Sequence, residues 1–152
     1  MKDDVWTALL ILSAIGSGLN AGLFFIFSNT IMRSFDRLPA AGAVAAMNSI
    51  NRVILNPLFF LVFFGTALLC LVLLVYQLDS PLIVAGALFY LIGSIGVTMV
   101  CNVPLNDRLA KVSPSADDME MQWRAYRSPW TRWNHVRTLA CLLAAAAFVI
   151  AD

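Results

Sequence analysis

The sequence contains one histidine, His135, which directly follows Asn134 and stands two residues before Arg137. Histidine is the side chain best suited to proton transfer near neutral pH. Amide and guanidinium groups beside it can stabilise an oxyanion or an enolate as negative charge develops. This cluster therefore favours the abstraction of an acidic C–H proton from a small molecule, with His135 as the base.

Other catalytic chemistries lack the residues that they need. A catalytic zinc site normally uses three protein ligands, and the apolar segments supply no second histidine and no carboxylate. A Ser-His-Asp triad needs an acid beside the histidine, whereas the acids here lie in loops and near the termini. Cys70, Cys101 and Cys141 form no Cys-x-x-Cys pair, and phosphate-binding and dinucleotide-binding motifs are absent from the sequence. We therefore expect neither a metal nor a cofactor.

The elements that position this cluster are membrane helices. Of the 152 residues, 61% are hydrophobic and 12% are charged, whereas soluble domains carry about 25% charged residues. Uncharged segments cover 5–32, 53–78, 80–106 and 138–151, and a span needs about 20 residues. The sequence predicts an all-α, integral membrane four-helix bundle that forms one domain over 1–152. The predicted spans are about 5–28, 57–76, 81–101 and 131–151.

The fourth span is informative because only fourteen uncharged residues separate Arg137 from Asp152. About 20 residues are needed to cross the bilayer, so the helix must enter the membrane near Arg132, with Ser128 as N-cap and Pro129 in the first turn. His135 and Arg137 then lie at or below the lipid headgroups. Ionisable groups at that depth are functional candidates. The alternative is that the neighbouring tryptophans form an aromatic belt and the arginines extend to the interface.

Polar residues recur at helical spacing in the other segments. Ser13, Ser17 and Asn20 share one face of the first helix, and Thr98 and Asn102 share one face of the third. The stretch 40–55 is predicted to form a helix that carries Asn48, Asn51 and Arg52 on one stripe. All these groups converge at the end of the bundle that faces the first and third loops. Hydrogen bonding between helices is an alternative explanation for the asparagines, and Gly18 with Gly22 predicts close helix packing.

An aromatic stripe follows in the third loop. Met119, Trp123, Tyr126, Trp130 and Trp133 recur at steps of three and four. This pattern is typical of an amphipathic helix in the plane of the interface, with a bend at Pro129. The same aromatic residues could cover a pocket for a flat, apolar substrate.

The charge pattern limits the partners. The net charge of +1 offers no basic field for nucleic acid, so we expect no nucleic-acid partner. The first and third loops hold nine basic residues, and the opposite side holds only Lys2. This difference predicts that both large loops and the site face the cytoplasm, in a bacterial inner membrane. The expected partners are the lipid bilayer and an apolar aromatic small molecule, and a homo-oligomer is left open.

Several of these motifs together resemble the anthrone oxygenase-like family of small four-helix membrane proteins. The resemblance covers nearly the whole chain, and its last two motifs are the most specific. The matching residues are Phe27-Ser28 with Met32, Ala46-Met47-Asn48-x-Ile50-Asn51, Asn56-Pro57, Val97-Thr98, Asn102-x-Pro104-x-Asn106, and Trp123-x-x-Tyr126-x-x-x-Trp130-x-x-Trp133-Asn134-His135-x-Arg137-Thr138.

The resemblance implies that molecular oxygen oxidises a tricyclic phenolic anthrone to an anthraquinone, without metal or flavin. On this sequence His135 would take the proton, and amides together with Arg137 would hold the enolate. The predicted catalytic residues are His135, Asn134, Arg137 and Asn102. The predicted substrate-binding residues are Asn20, Asn48, Asn51, Asn106, Trp123, Tyr126, Trp130 and Trp133. The rival hypothesis is a non-catalytic membrane protein that binds or carries a small apolar molecule or supports a partner.

Overall fold

The computed structural model describes residues 2–113 and 118–151, and this part of the chain is mostly helical and contains no strand. Four helices are long and apolar enough to cross a membrane, which confirms the predicted integral membrane bundle. We number five helices in chain order. They are α1 (Lys2–Ile26, continued by Phe27–Ile31 and Met32–Phe35), α2 (Ala40–Val53), α3 (Pro57–Tyr76), α4 (Pro81–Leu88, continued by Phe89–Gly96, Thr98–Asn102 and Val103–Leu109) and α5 (Met119–Ala151).

Local sequence signals explain where the helices begin and end. Asn56 separates α2 from α3, because its Oδ1 accepts a hydrogen bond from the Phe59 N–H at 3.1 Å and Pro57 occupies the first turn. Pro81 stands in the same way at the first turn of α4. The turn between Tyr76 and Pro81 is short, so α3 and α4 are antiparallel neighbours.

Three wide, π-helical segments interrupt the regular winding, namely Phe27–Ile31 in α1 and Phe89–Gly96 and Thr98–Asn102 in α4. The backbone stays helical through them, so α1 extends to Phe35 and α4 to Leu109, beyond the ends expected from the sequence. Such segments often occur at functional sites. Here they carry Ser28, Thr98 and Asn102, whose side chains all bond to residues of α5.

The last helix differs from the prediction in one respect. The segment expected to form a separate interfacial helix is the beginning of α5, which continues through Pro129. Proline removes one backbone hydrogen bond, and the burial of the aromatic stripe compensates for that loss. Trp123, Tyr126 and Trp130 are buried in a core shared with α1 and α2, whereas Trp133 is 41% exposed and leaves the stripe.

Close contacts between helices occur at glycines on the buried side of the bundle. A Cβ atom at Gly93 would lie 2.4 Å from the Cβ of Ala140, so α4 and α5 touch at this point. The structure places no neighbour within 4 Å of Gly18 or Gly22, which face outward. The packing expected at that glycine pair is therefore not found within the described part of the chain.

We expect Gly93→Ala to lower the free energy of unfolding by about 1 to 3 kcal/mol, because the added methyl group forces α4 away from α5. Thermal unfolding of the purified protein in detergent would measure this change. Gly18→Ala is the matched control, since its methyl group enters open space, and its stability should equal or slightly exceed that of the unchanged protein. Equal losses in both variants would contradict the proposed contact.

Candidate functional site

The main cavity lies among α1, α2, α4 and α5 and has a volume of about 550 Å³. This volume falls within the range of about 300 to 1,000 Å³ that is usual for small-molecule sites. The wall includes four aromatic rings, and the polar lining groups are amides, one hydroxyl, two guanidinium groups and one carboxylate. We call it the main cavity. The lining residues used below are Phe24, Phe27, Phe59, Asn48, Asn51, Thr98, Asn106, Trp130 and Arg137, with Arg52, Leu55 and Asp107 at the rim.

Arg137 brings a buried positive charge to this cavity, with a side chain that is only 6% exposed. Its Nη2 donates to Asn134 Oδ1 at 2.6 Å, and its Nη1 donates to Thr98 Oγ1 at 3.1 Å. The guanidinium carbon lies 4.2 Å from the centre of the Phe24 ring, a cation–π contact. Within the described residues no carboxylate pairs with this group, and Nε has no hydrogen-bond partner.

An uncompensated buried charge is costly, so this arrangement requires an explanation. The two partners of Arg137 are neutral oxygens, which fix the orientation of the guanidinium without neutralising it. The aromatic faces of Phe24 and Trp130 add partial compensation only. The site is therefore suited to a ligand that carries, or develops, a negative charge on oxygen.

Asn134 is fully buried and holds the guanidinium of Arg137 without lining the cavity itself. Its Nδ2 donates to the Phe24 carbonyl oxygen at 2.6 Å and to Ser28 Oγ at 2.5 Å, while its Oδ1 accepts from Arg137. All polar atoms of the amide are thus used inside the protein. Asn134 does not line the main cavity, so the geometry gives it the role of a positioning residue.

The remaining amides divide into two groups. Asn48, Asn51 and Asn106 line the cavity, and in the described structure Asn48 Oδ1 and Asn51 Nδ2 have no hydrogen-bond partner. Asn106 Oδ1 accepts from the Tyr126 hydroxyl at 3.0 Å. Asn102 lies behind the wall, where its Nδ2 donates to the Trp130 carbonyl oxygen at 3.2 Å. The two unpartnered amide atoms offer one acceptor and one donor beside the cavity.

His135 is not brought to this cavity. Its side chain is exposed and lines a separate cavity of about 290 Å³ between α1 and α5. The reason is helical geometry: two residues along a helix correspond to a rotation of about 200°, so His135 and Arg137 point to nearly opposite sides of α5. The structure therefore separates the expected base from the expected anion-binding group.

Four other predicted binding residues also lie outside the lining of the main cavity, namely Asn20, Trp123, Tyr126 and Trp133. Asn20 is buried in the core, where its Nδ2 donates to the Gly16 carbonyl oxygen at 2.8 Å and to Tyr90 Oη at 3.0 Å. The bond to Tyr90 joins two helices, as in the alternative explanation given above for such asparagines. Trp123 is buried beside Phe35 and Tyr126 without lining the cavity, and Trp133 is directed outward.

The cavity also contains residues that sequence reasoning did not select. Asp107 is exposed at its rim, and among the described lining residues it is the one carboxylate. The signal was its place directly after Asn106, at the end of the bundle where the polar faces converge. Phe24 and Phe59 were indistinguishable from ordinary membrane-facing residues in the sequence, and Phe27 entered only through the Phe27-Ser28 motif of the family resemblance. Within the described chain, no three His, Cys, Asp or Glu side chains lie close enough together to hold a metal ion.

A comparison with protein-family models gives a match to a known family. The family model described as anthrone oxygenase matches residues 59–147, which is more than half of the chain. The matched segment includes Thr98, Asn106, Trp130 and Arg137 and stops short of the α2 amides Asn48 and Asn51. No curated protein and no solved structure gives a match.

Proposed function

Because the chain belongs to the anthrone oxygenase family, we propose that it is a membrane oxygenase that oxidises a flat phenolic or quinone-like molecule in the main cavity. The observation that carries this proposal is the buried guanidinium of Arg137, which has no carboxylate partner within the described residues. Preorganised positive groups of this kind stabilise an oxyanion as it forms. A flat aromatic enolate fits a cavity whose apolar wall includes four aromatic rings and whose buried cation is Arg137.

The walls of the cavity support a planar substrate drawn from the bilayer. Phe24, Phe27, Phe59 and Trp130 offer ring faces and edges for stacking. The unpartnered Oδ1 of Asn48 would accept a hydrogen bond from a phenolic hydroxyl, and the unpartnered Nδ2 of Asn51 would donate one to a phenolic or carbonyl oxygen at the edge of such a molecule. The rim contains Leu55, which is 60% exposed and gives the opening an apolar border.

The proposed reaction needs one substrate and one molecule of oxygen. A base removes one proton from the ring CH₂ group opposite the ketone of the anthrone, and the oxygen of the resulting enolate lies against Arg137. The enolate transfers electrons to O₂ and takes up a proton, which gives a C–OOH group at that carbon. Loss of the second C–H proton then forms the C=O bond as the O–O bond breaks and water leaves. The CH₂ group becomes a carbonyl, one O₂ is consumed and one water is released. Since the substrate supplies the electrons, we propose that no cofactor takes part.

For the base we favour Asp107 over His135. Asp107 lies at the rim of the main cavity, whereas His135 lines the separate cavity on the other side of α5. A base must reach the proton that it removes, so position decides before acidity is considered. His135 keeps the base role only if the substrate reaches the separate cavity.

Oxygen uptake by the purified protein, with an anthrone as substrate at neutral pH, tests this function. We expect uptake of one O₂ for each anthraquinone formed, above the rate given by heat-denatured protein. Quenching of tryptophan fluorescence by the anthrone would report binding through Trp130. Binding without oxygen uptake would instead support a carrier of apolar molecules, a function favoured by the location of the histidine outside the cavity.

We also propose that the main cavity opens towards the cytoplasm of a bacterial cell. Besides the buried Arg137, eight basic residues lie at this end of the bundle, against Lys2 at the other end. A reporter that is active only in the periplasm, inserted in the turn after Tyr76, should therefore be active. An inactive reporter at that turn and an active one after Leu109 would reverse the orientation.

A further inference from the structure

The separate cavity that contains His135 is lined by three arginines. It lies between α1 and α5, has a volume of about 290 Å³, and takes no part in the function proposed above. Arg33, Arg127 and Arg132 line it together with His135, and three hydroxyl side chains complete its polar wall. We call it the basic cavity. Its hydroxyl residues are Ser28, Ser128 and Thr131.

The positive charge of the basic cavity is only partly neutralised. Arg127 forms an ion pair with Asp36. In residues 2–113 and 118–151 no carboxylate lies within ion-pair distance of Arg33 or Arg132. Thr131 adds an independent sign of a missing ligand, because its Oγ1 is buried and has no hydrogen-bond partner in the described structure. An anion with several oxygen atoms would satisfy both the guanidinium groups and this hydroxyl.

The depth of the basic cavity in the membrane indicates which kind of anion is available to it. Trp133–Ala151 form the last part of α5 and measure about 28 Å, close to the thickness of the hydrocarbon core of about 30 Å. Arg132 and Arg127 therefore lie at the level of the lipid headgroups. Phosphate is the abundant anion at that level, and basic pockets between membrane helices bind phosphorylated headgroups.

We propose that the basic cavity binds a phosphate group. Guanidinium groups are suited to phosphate because their N–H donors form paired, charge-assisted hydrogen bonds to two of its oxygens. Arg33 on α1 and Arg132 on α5 would hold the phosphate from two helices, with the Thr131 hydroxyl as a further donor. The phosphate comes from an anionic lipid headgroup or from a soluble phosphate, and both share this chemistry.

The test uses the full-length protein, purified in detergent, and its thermal unfolding temperature. The probes are dioctanoyl phosphatidylglycerol, inorganic phosphate, and dioctanoylglycerol, which has the same acyl chains without phosphate. The variant is Arg33→Gln with Arg132→Gln, two exposed side chains that lie outside the main cavity. The matched control is Arg124→Gln, an arginine of the same helix that pairs with Glu120 and does not line the basic cavity.

We expect phosphatidylglycerol to raise the unfolding temperature and dioctanoylglycerol to leave it unchanged. In the double variant the half-saturating concentration should rise about tenfold or more, from the loss of charge-assisted hydrogen bonds. The Arg124→Gln control should respond like the unchanged protein. A response to inorganic phosphate with the same sensitivity to the double substitution would support the proposal with a soluble ligand.

Three results would overturn the proposal. The first is that neither phosphate probe raises the unfolding temperature. The second is that the double variant responds like the unchanged protein, and the third is that Arg124→Gln weakens the response equally. Circular dichroism and anthrone oxidation by the double variant serve as checks of its fold, since neither substituted residue lines the main cavity.

Discussion

Replacing Arg137 by glutamine is expected to lower kcat/KM for an anthrone by a factor of about 100 to 1,000, the effect of removing one preorganised oxyanion-stabilising group. Glutamine keeps a polar side chain, although a shorter one, and removes the charge. The enolate would then form in a mainly apolar part of the cavity without the buried cation against it. Steady-state oxygen uptake over a range of anthrone concentrations would measure the change.

Two further variants serve as controls for the Arg137→Gln result. Arg132→Gln removes an arginine from the same helix that lines the other cavity, and its anthrone oxidation should stay close to that of the unchanged protein. Arg137→Lys keeps the charge and loses the two-armed bonding to Asn134 and Thr98, so an intermediate rate is expected. Undiminished turnover in a folded Arg137→Gln variant would remove the basis of the proposed function.

Replacing Asp107 by asparagine is expected to lower kcat for the same substrate by about 100- to 10,000-fold, the usual contribution of a general base. Asparagine has nearly the same shape but cannot accept the proton, so KM should change little. Anthrone binding, followed by tryptophan fluorescence, should persist in this variant. Loss of binding and turnover together would assign Asp107 a structural role at the rim instead.

His135→Gln is the matched control for the identity of the base. If Asp107 is the base, His135→Gln should retain most of its oxygen uptake, because the imidazole lies on the other side of α5. Loss of turnover in a folded His135→Gln variant, together with normal turnover in Asp107→Asn, would reverse the assignment. The pair of variants thus decides whether the base is Asp107, as its position in the structure favours, or His135, as the sequence predicted.

Much of the fold followed from simple features of the sequence. Long uncharged segments predicted the spanning helices, and Asn56 with Pro57 predicted the break before α3. The shortness of the final apolar segment predicted that Arg137 enters the membrane, and the structure buries this residue inside the bundle. These features are local, so a single sequence contains the information needed to recognise them.

The site was harder to predict because it depends on the direction in which each side chain points. The spacing of His135 and Arg137 already implied opposite sides of one helix. The prediction grouped them because their residue types suit the same reaction. Wide helical turns such as Thr98–Asn102 change which residues face α5, and no local sequence pattern predicted these turns. Asn20 and Asn51 look alike in sequence, yet one bonds to Tyr90 in the core and the other lines the cavity.

Asn134 has a mechanical consequence for the whole bundle. Through it α1 is bonded to α5, and through Arg137 the same chain of hydrogen bonds continues to Thr98 on α4. No water is at hand in the hydrocarbon to replace a lost partner, so sliding of any one of these helices along its axis would break the chain. The same hydrogen bonds thus hold the three helices together and position the charge of Arg137. A copy of this site in another protein would need all three helices in the same relative positions along their axes.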